Sequence, residues 1–139
     1  MSTKFKLGFL TLAIIIFAVS AVDAYTVDVS YNEEIGDYLV NDTGFTLYHY
    51  DEDEAKTSNL PVSSNWEPFY AGEISVPPKL DELDFDTITR YNDKQQTTYN
   101  YWPLYTYTGD EKKGDVNGNC LHVAEGWMYA ISPNIEYPP

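Results

Sequence analysis

Cysteine is almost absent from this 139-residue chain, which has one, Cys120. A single cysteine cannot form an intramolecular disulfide, so the core or bound ions must stabilise the fold. Basic residues are also scarce: eight Lys and Arg stand against 22 Asp and Glu, and the net charge is −14. So acidic a chain repels phosphate groups, which argues against nucleic acid and anionic lipid as general partners. The composition suits a cation, a basic protein surface or a salty exterior.

Recognisable catalytic and cofactor motifs are missing as well. The two histidines, His49 and His122, have neither a C-x-x-C-H haem sequence nor the spacing of a zinc-binding helix. The many carboxylates single out no pair for glycosidase chemistry. Arg90, the one arginine, most simply holds a carboxylate with its planar fork. The sequence favours a protein that is not an enzyme and has no cofactor; a cell-envelope enzyme or redox accessory protein is the alternative.

The N-terminus has the layout of a secretory signal peptide. Two lysines precede an apolar run over residues 7–22, and the tripeptide VDA then ends at Ala24. The run is shorter than the about 20 residues that a membrane-spanning helix needs. We therefore predict a signal-peptide helix over residues 1–24 and a secreted or cell-surface protein with no membrane span after cleavage. An uncleaved anchor is the alternative.

The chain contains an internal repeat. The sequence LYHYDED at residues 47–53 is echoed by LYTYTGD at residues 104–110, an offset of 57 residues. Each copy has a tryptophan further on, Trp66 and Trp127. Two copies of one strand-and-turn motif indicate that neither buries its apolar face alone and that they pack together.

The repeated motif has a structural and a functional interpretation. Tyrosines two residues apart on a strand share a face, and the aspartate three residues later falls at the following turn. A turn aspartate accepts backbone N–H bonds, and a strand tyrosine can bond a loop group, so each motif would tie a strand to its turn. The alternative is a recognition site, an aromatic platform with a carboxylate at its rim. The motif residues are Tyr48, Tyr50, Asp53, Tyr105, Tyr107 and Asp110.

Alternating apolar and polar residues, with 16% aromatics, predict an all-β fold. We expect two similar antiparallel units, about residues 36–70 and 86–133, packed as a single β domain over residues 25–139. One short helix is predicted at residues 77–84. Strands are predicted at residues 37–42, 45–50, 85–90, 95–101, 102–107 and 126–133, with hairpin turns at 41–44 and 91–94.

Three tryptophans are candidates for a ligand platform. Trp66, Trp102 and Trp127 could grip a sugar ring together with the motif tyrosines, which would make the protein a glycan-binding module.

Two acidic loops are candidates for calcium. The sequence GDVNGN places oxygen ligands at alternate positions, as a calcium loop does, although its glycine comes too early for such a loop. The sequence DEDE is the second candidate. A solvated turn is the simpler interpretation of both. The candidate ligands are Asp115, Asn117, Asn119, Asp51 and Asp53.

Taken together, these sequences resemble the secreted repeat proteins with a Y-x4-D motif, also described as predicted lipoproteins with a Y-x-[FWY]-x-x-D motif. The resemblance runs through GDYLVNDTGFTLYHYDEDE, WEPF, DTITRYNDKQQTTYNYWPLYTYTGDEKKGDVNG and GWMYAISP, in the family's order. It implies an exported, repeat-built protein and supplies no reaction, because the family's function is unknown. The expected function is an exported, non-catalytic binding or structural module whose partner is a surface protein or a glycan.

Overall fold

The computed structural model describes residues 8, 10–16, 24–61, 63 and 65–139. The predicted signal-peptide helix falls mostly outside these residues. Within them, no helix has the length and apolar character needed to cross a membrane. The described chain forms ten β-strands and one short 3-10 helix, which confirms the all-β prediction.

The strands form three antiparallel sheets in one small domain. One sheet pairs β1 with β2, a second has the order β4-β8-β3-β10-β9, and the third has the order β5-β6-β7. The strands are β1 (Val27–Asn32), β2 (Gly36–Asn41), β3 (Tyr48–Tyr50), β4 (Trp66–Pro68), β5 (Phe85–Thr89), β6 (Gln95–Tyr99), β7 (Trp102–Pro103), β8 (Tyr105–Tyr107), β9 (Leu121–Val123) and β10 (Gly126–Ala130).

The two copies of the sequence repeat are interleaved within the five-stranded sheet. β3 and β8, which carry the motifs, lie side by side at its centre and pair at Tyr48 and Tyr105. β4 follows β3 along the chain but pairs with β8, and β10 follows β8 but pairs with β3. Each copy thus covers the outer edge of the other copy's central strand, where N–H and C=O groups would otherwise lack partners. The units expected from the sequence are therefore interwoven, and neither has a complete sheet of its own.

The pairing register corrects the alignment of the tryptophans. Tyr107 lies opposite Trp66, and Tyr50 lies opposite Met128. Trp66 therefore corresponds to Met128, whereas the sequence repeat had matched it with Trp127, one residue earlier. Because successive side chains of a strand point to opposite faces, this shift places the two tryptophans on opposite faces. Trp66 is 5% exposed and Trp127 is 42% exposed.

A ring of three backbone hydrogen bonds surrounds Leu47. Its N–H donates to the oxygen of Leu39 (2.9 Å). The N–H of Leu39 donates to Ile131 (3.0 Å), and that of Ile131 donates back to Leu47 (3.0 Å). Leu47 thus joins two other chain segments at once, so β3 begins only at Tyr48 and the strand predicted from residue 45 is shorter than expected.

The second copy repeats this ring around Leu104. Its N–H donates to the oxygen of Thr97 (3.0 Å), Thr97 donates to Phe69 (2.8 Å), and Phe69 donates back to Leu104 (2.9 Å). The single strand predicted over residues 102–107 is therefore wrong. It is divided at Leu104 into β7 and β8, because that residue bonds two different neighbours.

The core consists of two clusters of buried side chains. The first packs around Leu47 and Leu104 and contains other aliphatic residues with Phe85, Tyr99 and Trp102. The second is called here the aromatic cluster, and it holds the first tyrosine of each motif. Its buried members are Tyr48, Tyr50, Leu60, Trp66, Tyr105 and Met128.

Both predicted hairpin turns are confirmed, and the predicted helix is not. In the first turn the N–H of Gly44 donates to the backbone oxygen of Asn41 (3.0 Å). In the second the N–H of Arg90 donates to the backbone oxygen of Lys94 (2.8 Å). The segment 77–84 forms a hydrogen-bonded turn at residues 77–80 and a 3-10 turn at Glu82–Asp84. A single turn gains too few hydrogen bonds to continue as a helix, so this segment is otherwise loop.

Candidate functional site

The motif aspartates lie in equivalent turns after β3 and β8. The N–H of Asp53 donates to the oxygen of Tyr50 (3.0 Å), and the N–H of Asp110 donates to that of Tyr107 (3.1 Å). Asp53 is 3% exposed and Asp110 is 7% exposed. Both carboxylates are thus inside the molecule, where a polar group is stable only with hydrogen-bond partners.

Each of these aspartates is bonded to the tyrosine of the other copy. The hydroxyl of Tyr48 donates to Oδ2 of Asp110 (2.6 Å), and the hydroxyl of Tyr105 donates to Oδ2 of Asp53 (2.8 Å). Both tyrosines have no exposed surface. The sequence predicts that each motif ties a strand to its own turn, whereas these two bonds, here called the reciprocal pair, join the two copies to each other.

The second carboxylate oxygen of each aspartate does bond its own turn. Oδ1 of Asp53 accepts the N–H of Asn59 (2.6 Å), and Oδ1 of Asp110 accepts the N–H of Asn117 (2.9 Å). The asparagine side chains add a second bond to each turn. Nδ2 of Asn59 donates to the backbone oxygen of Glu52, the residue before Asp53. Asn117 donates in the same way to the residue before Asp110. Each motif aspartate therefore closes its own turn with one carboxylate oxygen and bonds the tyrosine of the other copy with the other oxygen.

Burial sets the ionisation behaviour of the reciprocal pair. It raises the pKa of Asp53 to about 6, although the hydrogen bonds from Asn59 and Tyr105 and the charge of Arg90 act against it. Burial likewise raises the pKa of Asp110. The pKa values of the Tyr48 and Tyr105 hydroxyls are raised by burial and by their aspartate neighbours. The tyrosines therefore remain neutral donors at all ordinary pH values.

The raised pKa of Asp53 predicts that the protein is more stable in mild acid than at neutral pH. A carboxyl whose folded pKa exceeds its unfolded pKa stabilises the fold below the unfolded value and loses that contribution as pH rises through the folded value. For Asp53 this contribution is lost between pH 3.8 and about 6. The loss amounts to about 3 kcal/mol of the free energy of unfolding. The measurement is the free energy of unfolding in urea between about pH 3 and about pH 7.5, which spans the whole window.

The control for this prediction is the variant Asp53→Asn, which cannot ionise there. General charge repulsion acts in the same direction, so the series is run in about 1 M salt, where the Debye length is about 3 Å. The variant should then show a clearly smaller dependence on pH than the natural protein. An equal dependence would mean that other carboxyls cause it.

The glycine of GDVNGN serves the reciprocal pair. The N–H of Gly118 donates to the hydroxyl oxygen of Tyr48 (3.2 Å). A Cβ atom on Gly118 would lie 2.5 Å from the ring of Trp66 and 2.9 Å from that of Tyr48. Only a glycine allows the backbone to approach these rings so closely.

The second tyrosines of the motifs have different partners. The hydroxyl of Tyr50 donates to the oxygen of Val123 (3.0 Å). The ring of Tyr107 stacks on that of Trp66, with centroids 4.4 Å apart. These contacts hold the flanks of the sheet, so the two copies are equivalent at their first tyrosine and aspartate and differ at their second tyrosine.

Two of the three candidate platform tryptophans are buried, which corrects the platform hypothesis. Trp66 is 5% exposed and Trp102 is 6% exposed, and the indole N–H of Trp102 donates to the oxygen of Glu136 (2.7 Å). Neither ring lies open on the surface, as a platform for a sugar ring requires. Trp127 is 42% exposed and has the ring of His122 against it at 4.9 Å.

The candidate calcium ligands are used for separate hydrogen bonds. Oδ2 of Asp115 accepts two backbone N–H groups of its own loop, Oδ1 of Asn119 accepts the N–H of Ala130, and Oδ1 of Asp51 accepts that of Trp127. Asp53 and Asn117 belong to the turns of the motifs. Within the described residues, no three His, Cys, Asp or Glu side chains are grouped to hold a metal. Asp115, Asn117 and Asn119 thus take part in hydrogen bonds of the backbone around GDVNGN.

Two residues that bond members of the reciprocal pair were not predicted from the sequence. Ser58 lies 2.5 Å from the hydroxyl of Tyr105, and Asn59 closes the first turn. The available signal was an asparagine six residues after Asp53 and seven after Asp110. The unequal spacing hides this match when the copies are compared at one fixed offset.

The fold and the reciprocal pair define an all-β domain built from an interleaved repeat. Residues 86–130 match a family model described as a secreted repeat of unknown function, which confirms the resemblance over that segment. The match includes Tyr105, Tyr107 and Asp110 and supports a secreted or extracytoplasmic location. No curated protein and no solved structure matches the chain.

Proposed function

We propose that the protein is an exported, non-catalytic module that binds a surface protein or a glycan outside the cytoplasm. The observation that supports this most is the reciprocal pair, because it uses the motif carboxylates inside the fold. A carboxyl with a raised pKa is ordinarily a candidate general acid. Asp53 is 3% exposed and bonded to Tyr105, so it has no access to a substrate. The motif then has a structural role, and the partner binds at the surface of the domain.

The single cysteine offers a direct test of this proposal. Cys120 is free and exposed, so one fluorophore can be attached there without touching the core. The labelled protein, purified from an exporting host, is added to cell-envelope fragments of the same cells. We expect saturable retention, removed by competition with unlabelled protein. Retention that never saturates, or none at all, would contradict the proposal.

The class of partner is read from the same assay. Digestion of the fragments with protease before binding should abolish retention if the partner is a protein. Digestion with wall-degrading glycosidases should abolish it if the partner is a glycan. A heat-unfolded sample of the labelled protein is the control for non-specific adhesion.

Export gives a further prediction. The layout of residues 1–24 predicts cleavage after Ala24, so mass spectrometry of the protein from exporting cells should find an N-terminus at Tyr25. Recovery of the intact chain in the membrane fraction would instead indicate an anchor.

A further inference from the structure

The only arginine of the chain lines a cavity of about 350 Å³. The cavity lies between the edge strand β4 and the hairpin of β5 and β6. Trp66 and Pro68 form its apolar side, and Arg90 and Lys94 bring two positive charges to it. Its volume is at the lower end of the range of small-molecule sites.

Arg90 is buried and incompletely bonded. Its exposed fraction is 7%, and its Nη1 donates to Oε1 of Gln96 (3.0 Å). Gln96 is held in turn by its bond to the oxygen of Leu104 (2.7 Å). The Nε of Arg90 is buried with no hydrogen-bond partner among the described residues. A guanidinium is always charged, so a buried donor without an acceptor is costly.

No carboxylate of the described chain neutralises Arg90 directly. The one ion pair among the described residues joins Lys56 to Asp86 on the surface. This contradicts the expectation that Arg90 holds a neighbouring carboxylate. The charge of Arg90 does act on Asp53, but that carboxylate is already bonded to Tyr105 and Asn59. The guanidinium therefore keeps N–H donors that no acceptor of the described chain uses, and a ligand can supply that acceptor.

The charges around the cavity indicate which ligand it fits. Among the side chains that line the cavity, Arg90 and Lys94 are positive and Glu67 is negative, so the lining carries one net positive charge. That balance matches a monoanion and not a doubly charged phosphate. A carboxylate is the planar monoanion that an arginine fork binds best. The aromatic and proline side of the cavity suits an apolar group next to the carboxylate.

We propose that this cavity binds a carboxylate attached to an apolar group. The carboxylate accepts hydrogen bonds from Arg90 and Lys94, and the apolar group lies against Trp66 and Pro68. The inference rests on the proposed function as a binding module and names the ligand chemistry of one site on it. A free organic acid and the C-terminus of a peptide share this chemistry.

The test uses the fact that the chain has one arginine. In a ¹⁵N-labelled protein from an exporting host, the arginine Nε–Hε region of the spectrum then contains a single signal. Titration with benzoate should move this signal in a saturable way with one-to-one stoichiometry, and the neutral isostere benzamide should not move it. An acetylated dipeptide ending in phenylalanine, compared with its C-terminal amide, distinguishes a peptide source from a free acid.

Three variants complete the test by calorimetric titration with the same ligands. Arg90→Lys keeps the charge but loses the fork, and we expect at least about tenfold weaker binding. Lys94→Gln should weaken binding several-fold, and it changes an exposed residue, so it remains informative if Arg90→Lys does not fold. The matched control is Lys79→Gln, which removes the same charge from an exposed position outside this cavity and should leave the affinity unchanged.

Several outcomes would overturn the inference. These are an unmoved arginine signal, an equal shift with benzamide, or the same loss of affinity in Lys79→Gln as in Lys94→Gln. If envelope retention persists in such a case, only the carboxylate assignment fails. If retention is absent as well, the binding module itself is rejected.

Discussion

Replacing Trp66 by alanine should lower the free energy of unfolding by about 3 to 5 kcal/mol, the usual result of truncating a buried aromatic side chain. Trp66 is 5% exposed and packs edge-on to Tyr48 at 5.2 Å and face-on to Tyr107 at 4.4 Å. Its removal opens a cavity beside the reciprocal pair, and the two tyrosine rings lose their packing partner. Urea unfolding followed by circular dichroism gives the measurement.

The matched control is Trp127→Ala. The sequence repeat treats the two tryptophans as equivalent, but the register places Trp127 on the opposite face, where it is 42% exposed. Its replacement should change the free energy of unfolding by less than about 1 kcal/mol. Similar losses in both variants would mean that the assigned register is wrong.

The second large effect concerns the aspartates of the reciprocal pair, which should respond unequally to amidation. Asp110→Asn should lower the free energy of unfolding by about 1 to 3 kcal/mol, as expected when a buried donor loses its acceptor. The new amide can satisfy either Asn117 or Tyr48 but not both. Among the described residues the Tyr48 hydroxyl bonds only Asp110 and the N–H of Gly118, so no second side chain is already in place to accept its proton.

Asp53→Asn should cost less, because Ser58 gives Tyr105 an alternative. The serine hydroxyl lies 2.5 Å from that of Tyr105, and either atom can be the donor. Tyr105 can therefore donate to Ser58 and accept from the new amide at position 53. Adding Ser58→Ala to Asp53→Asn should restore the larger loss. If the two single variants lose equal stability, Ser58 does not supply this alternative.

Local features of the fold could be predicted from the sequence. Period-2 alternation identified the strands around Tyr48 and Tyr105, and Asn, Gly and Asp identified the turns. The sequence VDVSYN of β1 also alternates apolar and polar residues, although this strand was not among those predicted.

Features that depend on partner choice could not be predicted. The sequence pattern is the same whether Tyr48 bonds the turn of its own copy or the turn of the other copy. Only the order of strands decides between them, because β4 and β10 exchange places beside β3 and β8. The match of Trp66 with Met128 was also hidden, because the segment after the second motif is longer than the one after the first and places Trp127 one residue before the matching position.

The role of the asparagines was obscured by a competing pattern. Asn117 falls at an alternate position of GDVNGN, which suggested a calcium loop. Its N–H in fact closes the turn onto Asp110, as Asn59 does onto Asp53. Oxygen-rich turns and calcium loops use the same residue types, and the difference lies in whether the oxygens converge on one point.

The most direct test of the interleaved repeat is a pair of double-mutant cycles that start from Tyr48→Phe. One cycle combines it with Asp110→Asn, in the other copy, and one combines it with Asp53→Asn, in the same copy. Interleaving predicts a coupling energy of about 1 kcal/mol or more for Tyr48 with Asp110 and additivity within about 0.5 kcal/mol for Tyr48 with Asp53. Coupling of Tyr48 to Asp53 together with additivity for Asp110 would contradict the reciprocal pair.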